Sequence, residues 1–266
     1  MFANLQWREA EFPMHPMIFC CLGDSITSDQ VTGIGTVVAR KLGAAQWLNV
    51  ACGYATCTDW HEGDTNITPV TLAEPPNTNT ADNVLSNQVR RVLQAVTPTG
   101  QPVTWEVDGV SYRLPGVLGK ETLPPPDVIY IAISTNDGNQ PCNTVTDDFD
   151  LVAHQSYGQL TRCSIASALR WALETLHAVC PQAQIFIATP LQTCCDLPWM
   201  SHESGLIKRS IIDRVCQMSG VHIIDSFYES GFDTAVAKDH GEVHPDEEWK
   251  ERIACFVAEK IRTALA

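Results

Sequence analysis

A serine, a glycine, an asparagine and a histidine in this sequence are residue types that acyl transfer uses; they are Ser25, Gly53, Asn136 and His244. A serine hydroxyl is a weak nucleophile until a neighbouring base takes its proton, and histidine is the usual base near neutral pH. Attack on a carbonyl carbon places negative charge on the carbonyl oxygen, which backbone N–H groups and a side-chain amide can stabilise. We therefore predict Ser25 as nucleophile and His244 as general base. The N–H groups of Ser25 and Gly53, with the Asn136 amide, form the predicted oxyanion hole.

The elements that must position these residues can be predicted from short apolar runs, which alternate with segments of helical periodicity. The predicted strands cover residues 17–22, 47–51, 127–133, 184–188 and 221–224. The predicted helices cover residues 32–42, 82–96, 160–179, 202–218 and 245–264. Strands that alternate with helices form a parallel sheet that is covered on both faces. The sequence therefore predicts one α/β domain over residues 1–266, with three α/β/α layers and a five-stranded parallel sheet.

An insertion at about residues 98–126 is predicted to hold a β-hairpin. Asp108-Gly109 separates two runs of alternating polarity, and this dipeptide is a strong signal for a hairpin turn. The hairpin is expected to serve packing or contacts between subunits, because it approaches its strand from the end opposite the polar residues.

The four polar or small residues each follow a different predicted strand, where doubly wound sheets place their ligands. Taken alone, each has a structural interpretation: Ser25 as a helix cap, Gly53 and Asn136 in turns, and His244 at a helix start. Four coincidences of residue type and topology favour a shared site over four separate structural roles.

The same residues resemble the four ordered sequence blocks of SGNH (GDSL-type) hydrolases. The blocks here are Gly23-Asp24-Ser25, Gly53, Asn136-Asp137 and His244-Pro245, and their order and spacing match the family from about residue 18 to residue 264. The resemblance implies a flavodoxin-like sheet, no cofactor, no metal, and hydrolysis of esters, often acetyl groups on carbohydrates. Asp137 is expected to be structural.

Two positions depart from the pattern of the family. Ser134 stands where the third block usually has glycine, and Gly241 stands three residues before His244, where the family usually has its acid. Asp239 and Glu242 are the alternative acids, and Asp239 is preferred because residues 239–245 read like Asp-Gly-x-His-Pro with two residues added. A backbone carbonyl in place of either acid is the third alternative.

Composition excludes some partners. The formal net charge is −14, which argues against nucleic acid and against anionic membrane surfaces. The 11 cysteines show no zinc-like spacing and are expected to be mostly reduced and buried. No signal peptide or transmembrane segment is expected, so the location is predicted to be cytoplasmic or within a larger particle. The oligomeric state stays open.

The predicted cleft is walled by loops at residues 54–80, 138–153, 191–200 and 226–240. Aromatic residues in these loops are candidates for stacking on a sugar ring or for anchoring the loops: Tyr54, Trp60, Trp199, Tyr228 and Phe232. The leading hypothesis is a carbohydrate deacetylase, whose partner is a small-molecule or oligosaccharide ester. A lipase or thioesterase of the same fold, and an inactive carbohydrate-binding protein, are the alternatives.

Overall fold

The computed structural model describes residues 16–59, 84–114, 123–139 and 145–266. Its strands are β1 (Ile18–Gly23), β2 (Gln46–Asn49), β3 (Val103–Val107), β4 (Val110–Leu114), β5 (Val128–Ala132), β6 (Gln184–Ala188) and β7 (His222–Ile224). Its α-helices are α1 (Ser25–Ser28), α2 (Ile34–Leu42), α3 (Leu85–Val96), α4 (Phe149–Val152), α5 (Ile165–Val179), α6 (His202–Ser219), α7 (Ser226–Glu229), α8 (Thr234–Asp239) and α9 (Glu247–Leu265).

The main sheet has the strand order β2-β1-β5-β6-β7, and every neighbouring pair is parallel. Successive side chains of a strand point to opposite faces, so each central strand contributes to two cores. On β1, Cys20 and Leu22 join the core beneath α3, α5 and α6, whereas Phe19 and Cys21 join the core beneath α2 and α9. The predicted three-layer α/β/α fold with a five-stranded parallel sheet is confirmed.

The β3–β4 hairpin packs against α5 outside the main sheet. Trp105 stacks on Tyr112, and the Trp105 indole N–H donates to the Tyr157 hydroxyl at 3.1 Å. The Tyr157 ring in turn stacks on Trp171 of α5. These buried aromatic contacts hold the hairpin to the domain.

Several boundaries differ from the sequence predictions. Helix α5 begins at Ile165 rather than residue 160, because Ser164 accepts a hydrogen bond from the Ser167 amide and caps it. Helix α9 begins at Glu247, since Asp246 is its cap and Pro245 precedes the cap. The segment 226–240, predicted as a loop, contains α7 and α8.

The described helices include none whose length and apolar character would allow it to cross a membrane.

Candidate active site

Ser25 and His244 meet at the carboxyl edge of the sheet although 219 residues separate them in sequence. The Ser25 Oγ lies 2.7 Å from the His244 Nε2, which is the hydrogen-bond distance that a serine nucleophile and its base require. Ser25 is the first residue of α1, directly after β1 and the capping residue Asp24. The site is therefore built where a parallel strand ends and a helix begins.

Gly23 is fixed by the close approach of β5. A Cβ atom at this position would lie 2.4 Å from the Ala132 carbonyl oxygen, so no side chain fits. The buried Gln88 amide of α3 also binds both backbone groups of Gly23: its Oε1 accepts from the Gly23 N–H at 2.8 Å, and its Nε2 donates to the Gly23 carbonyl at 2.9 Å. These contacts fix the strand end that carries the nucleophile.

His244 lies in a loop whose two ends are joined. The His240 Nδ1 is 2.8 Å from an Asp246 carboxylate oxygen, and the Asp246 amide donates to the His240 carbonyl at 2.9 Å. Within the loop, the His244 amide donates to the Gly241 carbonyl at 2.9 Å, which closes a tight turn. We refer to residues 240–246 as the base loop.

Gly241 cannot carry the acid that the family places three residues before the base. Its φ is 114°, and a Cβ atom would lie 2.1 Å from the His244 carbonyl oxygen. The tight turn therefore requires glycine at this position.

The two alternative acids lie on either side of Gly241. Asp239 is exposed at the last position of α8, and Glu242 is exposed with φ at 55°. In the described ranges, neither carboxylate forms a hydrogen bond to His244. The role of Asp239 as the orienting acid stays a prediction.

The pKa of His244 is lowered from its ordinary value, first by burial of the ring and second by the positive charge of Lys250. His244 is exposed as a whole residue, but neighbouring protein atoms still replace part of the water around its imidazole ring. A lower pKa keeps the imidazole neutral, and hence able to accept a proton, to lower pH.

The predicted oxyanion donors lie at the start of α1, in the loop after β2 and in the loop after β5. In the described part of the chain, the N–H groups of Ser25 and Gly53 donate to no other residue. Asn136 is buried, and its Nδ2 donates one hydrogen bond to the Ala55 carbonyl at 3.0 Å, which leaves the second N–H of the amide. An amide anchored in this way is preorganised for a developing negative charge.

Asp137 is fully buried and joins the loop after β5 to the loop after β2. Its carboxylate accepts from the Cys57 amide at 2.7 Å, the Thr58 amide at 3.0 Å and the Thr58 hydroxyl at 2.9 Å. Burial raises the pKa of Asp137, while the nearby Lys208 charge opposes this rise. The residue is structural, as expected from the sequence.

Lys208 of α6 is a buried cation beneath the site, with only 2% of its surface exposed. Its Nζ donates to the Thr135 carbonyl at 3.0 Å and to the Trp199 carbonyl at 2.7 Å. Burial lowers the pKa of Lys208 to about 8, whereas the charges of Asp137 and Asp24 act to raise it. Lys208 thus compensates two buried carboxylates and holds the residue that precedes Asn136.

Asp24 is buried between the nucleophile and the β5 loop. Burial raises its pKa to about 6, although hydrogen bonds from Thr135 and the Ile26 amide act in the opposite direction. The Ile26 amide donates to the Asp24 Oδ1 at 3.1 Å, so this side chain fixes the first turn of α1.

Sequence reasoning missed Gln88 and Lys208. Both lie on apolar faces of their helices: Gln88 is three residues after Leu85, and Lys208 is three residues before Ile211. A polar residue on a buried helical face needs a polar partner inside the protein. A polar residue at an apolar position of the helical pattern is therefore the sequence feature that could indicate such a contact.

The predicted cleft aromatics differ in their surroundings. Trp60 lies outside the described residues. Phe232 is buried and packs edge-on against Trp249, so it anchors its loop. Tyr228 is exposed, but its ring lies beneath the Arg209 guanidinium at 4.9 Å. Tyr54, next to Gly53, is 76% exposed.

Solved structures share this fold at low sequence identity. A carbohydrate esterase family 2 enzyme with a carbohydrate binding domain, from Corynascus thermopiles, has a TM-score of 0.56 and 17% identity over 96% of this chain and 68% of that chain. The lipase/acylhydrolase of Enterococcus faecalis has a TM-score of 0.53 and 13% identity over 93% and 96%. The aryl esterase of M. smegmatis has a TM-score of 0.51 and 13% identity over 93% and 99%.

Comparison with protein-family models found no match, and neither did comparison with curated proteins. At these identities the solved structures establish the fold of the chain, which agrees with the fold that the sequence blocks predict.

We predict that Ser134→Gly stabilises the protein by about 1 kcal/mol. Ser134 has φ at 98°, a region that favours glycine, and its buried hydroxyl has no hydrogen-bond partner within the described residues. Glycine removes both costs, and its greater freedom in the unfolded chain offsets part of the gain. The free energy of unfolding in urea measures the effect. Ser134→Ala is the control, because it removes only the hydroxyl; equal stability of the two variants would contradict the role of strain.

We also predict that Lys250→Gln raises the pKa of His244. Lys250 lowers this pKa by its positive charge, so its removal makes the protonated imidazole easier to form. NMR titration of the His244 ring measures the change, with His244→Gln to assign the signal. Arg252→Gln, which removes one positive charge from the same helix, is the control; an equal rise in both variants would argue against a specific effect of Lys250.

Proposed function

We propose that this protein is a serine esterase that removes small acyl groups, most readily acetyl, from a carbohydrate. The single observation that carries the proposal is the 2.7 Å contact between the Ser25 Oγ and the His244 Nε2, beside the Asn136 amide loop at the carboxyl edge of the sheet. The fold shared with esterases supports the reaction class, and the carbohydrate esterase among them favours a carbohydrate as the alcohol.

The proposed reaction proceeds through a Ser25 acyl-enzyme. His244 takes the Ser25 proton as the hydroxyl oxygen attacks the ester carbonyl, and the negative charge forms next to the N–H groups of Ser25, Gly53 and Asn136. His244 then gives the proton to the leaving alcohol. In the second half, His244 takes a proton from water as the water oxygen attacks the acyl carbonyl. His244 then gives this proton to the Ser25 Oγ as the Oγ–acyl bond breaks, which releases the acid and restores the Ser25 hydroxyl and the neutral imidazole.

The base loop supports this sequence of proton transfers. Its ends are fixed by the His240–Asp246 contact, so the imidazole is held near Ser25 before substrate arrives. The lowered pKa of His244 favours the neutral imidazole that must accept the first proton. A lipase or thioesterase of the same fold would use the same residues and differ in the substrate that it accepts.

We expect Ser25→Ala to lower the turnover of para-nitrophenyl acetate by at least about 1000-fold, because it removes the nucleophile. Initial rates with wild type and variant side by side measure the loss. Ser28→Ala is the matched control, since it removes a hydroxyl from the same short helix. Equal turnover in wild type and Ser25→Ala would reject the serine mechanism, and absence of turnover in wild type would favour the inactive binding protein. A steep fall in rate with acyl chain length favours the deacetylase over the lipase.

The Asp239 assignment predicts that Asp239→Asn lowers kcat by about 100-fold or more, whereas Glu242→Gln leaves it near the wild-type value. An orienting carboxylate stabilises the imidazolium, and an amide cannot. Steady-state kinetics with para-nitrophenyl acetate separates the two residues. If both variants retain wild-type kcat, the backbone of the base loop orients His244 and neither acid takes part.

A further inference from the structure

Tyr54 is an exposed aromatic residue directly beside a predicted oxyanion donor. Its side chain is 76% exposed, and it forms no hydrogen bond and no ring contact with another residue in the described ranges. The ring therefore contributes little to the packing of the described residues. Aromatic surface exposed beside a reactive centre is available to a ligand.

The backbone at Tyr54 adopts a conformation that does not favour tyrosine. The Ala55 amide donates to the Cys52 carbonyl at 3.3 Å, which closes a four-residue turn with Gly53 second and Tyr54 third. Tyr54 has φ at 60°, and a turn with positive φ at its third residue favours glycine there.

Gly53 occupies the position in this turn that does not need a glycine. It is not among the residues with positive φ, and a Cβ atom added to it would meet no atom within 4 Å. The order Gly53-Tyr54 is thus the reverse of what the backbone favours. Strained residues with exposed side chains of this kind occur at ligand sites, where the side chain serves the ligand rather than the fold.

The turn is held on both sides, so the backbone of Tyr54 has a defined place relative to the strand end that carries Ser25. The Cys52 amide donates to the Gly23 carbonyl at 3.0 Å, and the Ala55 carbonyl accepts from the Asn136 amide at 3.0 Å. The turn that carries Tyr54 is therefore connected to the strand end of the nucleophile through Cys52 and to the predicted oxyanion amide through Ala55.

The other described aromatics near the cleft already have partners within the protein. Tyr228 lies beneath Arg209, and Phe232 is buried against Trp249. The Cβ of Trp199 lies 2.9 Å from the place where a Cβ of Gly138 would stand, so the base of this side chain packs on the β5 loop, and Trp199 is only partly exposed. Among these residues, Tyr54 offers an exposed ring without a protein partner.

We propose that the Tyr54 ring is a specificity-determining platform on which the sugar ring of the ester's alcohol portion stacks. This inference rests on the proposed function and names the group that the site recognises beyond the acyl ester. The C–H face of a pyranose is apolar, so it can cover the face of an aromatic ring, while the tyrosine hydroxyl remains at the wet edge. The strain at Tyr54 is then tolerated because the exposed ring serves the substrate.

The test compares two acetate esters that differ in their alcohol, methyl β-D-xylopyranoside peracetate and ethyl acetate, by the release of acetate. Tyr54→Asn is expected to lower the ratio of their kcat/KM values (sugar ester over ethyl ester) by about 3- to 10-fold, because the stacking surface is lost. Tyr54→Phe keeps the ring and is expected to keep the ratio. Asparagine tolerates positive φ, so the thermal midpoint of Tyr54→Asn should be no lower than that of wild type.

Three results would overturn the proposal. An unchanged ratio in Tyr54→Asn would mean that no sugar stacks there, and an equal loss in Tyr54→Phe would assign the effect to the hydroxyl. A lower thermal midpoint in Tyr54→Asn would show a structural role. Failure of the proposed function has a different signature: wild type would release no acetate from either ester, or would release it equally well after Ser25→Ala.

Discussion

The buried carboxylate of Asp137 is the interaction on which the geometry of the site depends. The loops after β2 and β5 must lie at a fixed distance from each other. The Asp137 side chain joins them by accepting hydrogen bonds from two backbone amides and one hydroxyl. A buried charge of this kind is costly unless it is compensated, and Lys208 supplies the opposite charge from α6. The same lysine holds the carbonyl of Thr135. The loop that carries Asn136 is thus fixed by the Lys208 ammonium, which donates to the Thr135 carbonyl, and by the hydrogen bonds that the Asp137 carboxylate accepts.

The nucleophile and the base are fixed by different means. Ser25 is placed by the sheet itself, because Gly23 allows β5 to approach closely and Gln88 binds the backbone at the strand end. His244 is placed by a short loop whose ends are joined through His240 and Asp246. The 2.7 Å contact between Ser25 and His244 therefore joins the end of β1, which the sheet fixes, to the base loop, which the His240–Asp246 contact fixes.

The sequence predicts the sheet well because burial on both faces leaves a clear pattern. The runs around Ile131 and Ile187 are apolar throughout, and strands buried on both faces are continuous rather than alternating. The sequence also predicts that Ser25 and His244 lie together, since each follows a strand and the topology brings the strand ends to one edge of the sheet. The sequence does not predict the contacts of Gln88 and Lys208, because these contacts join residues far apart in sequence. The helix α8 was missed because it has only six residues and one buried side chain, which leave no periodic signal.

Gly241 limits how the base loop can change over evolutionary time. Its left-handed backbone and its lack of space for a Cβ exclude every other side chain, so a single nucleotide change cannot install a working carboxylate three residues before the base. An acid three residues before His244 would require a base loop with a different backbone path, so a substitution at Gly241 alone could not supply it. The turn that closes this loop thus limits the positions from which a carboxylate could reach the imidazole.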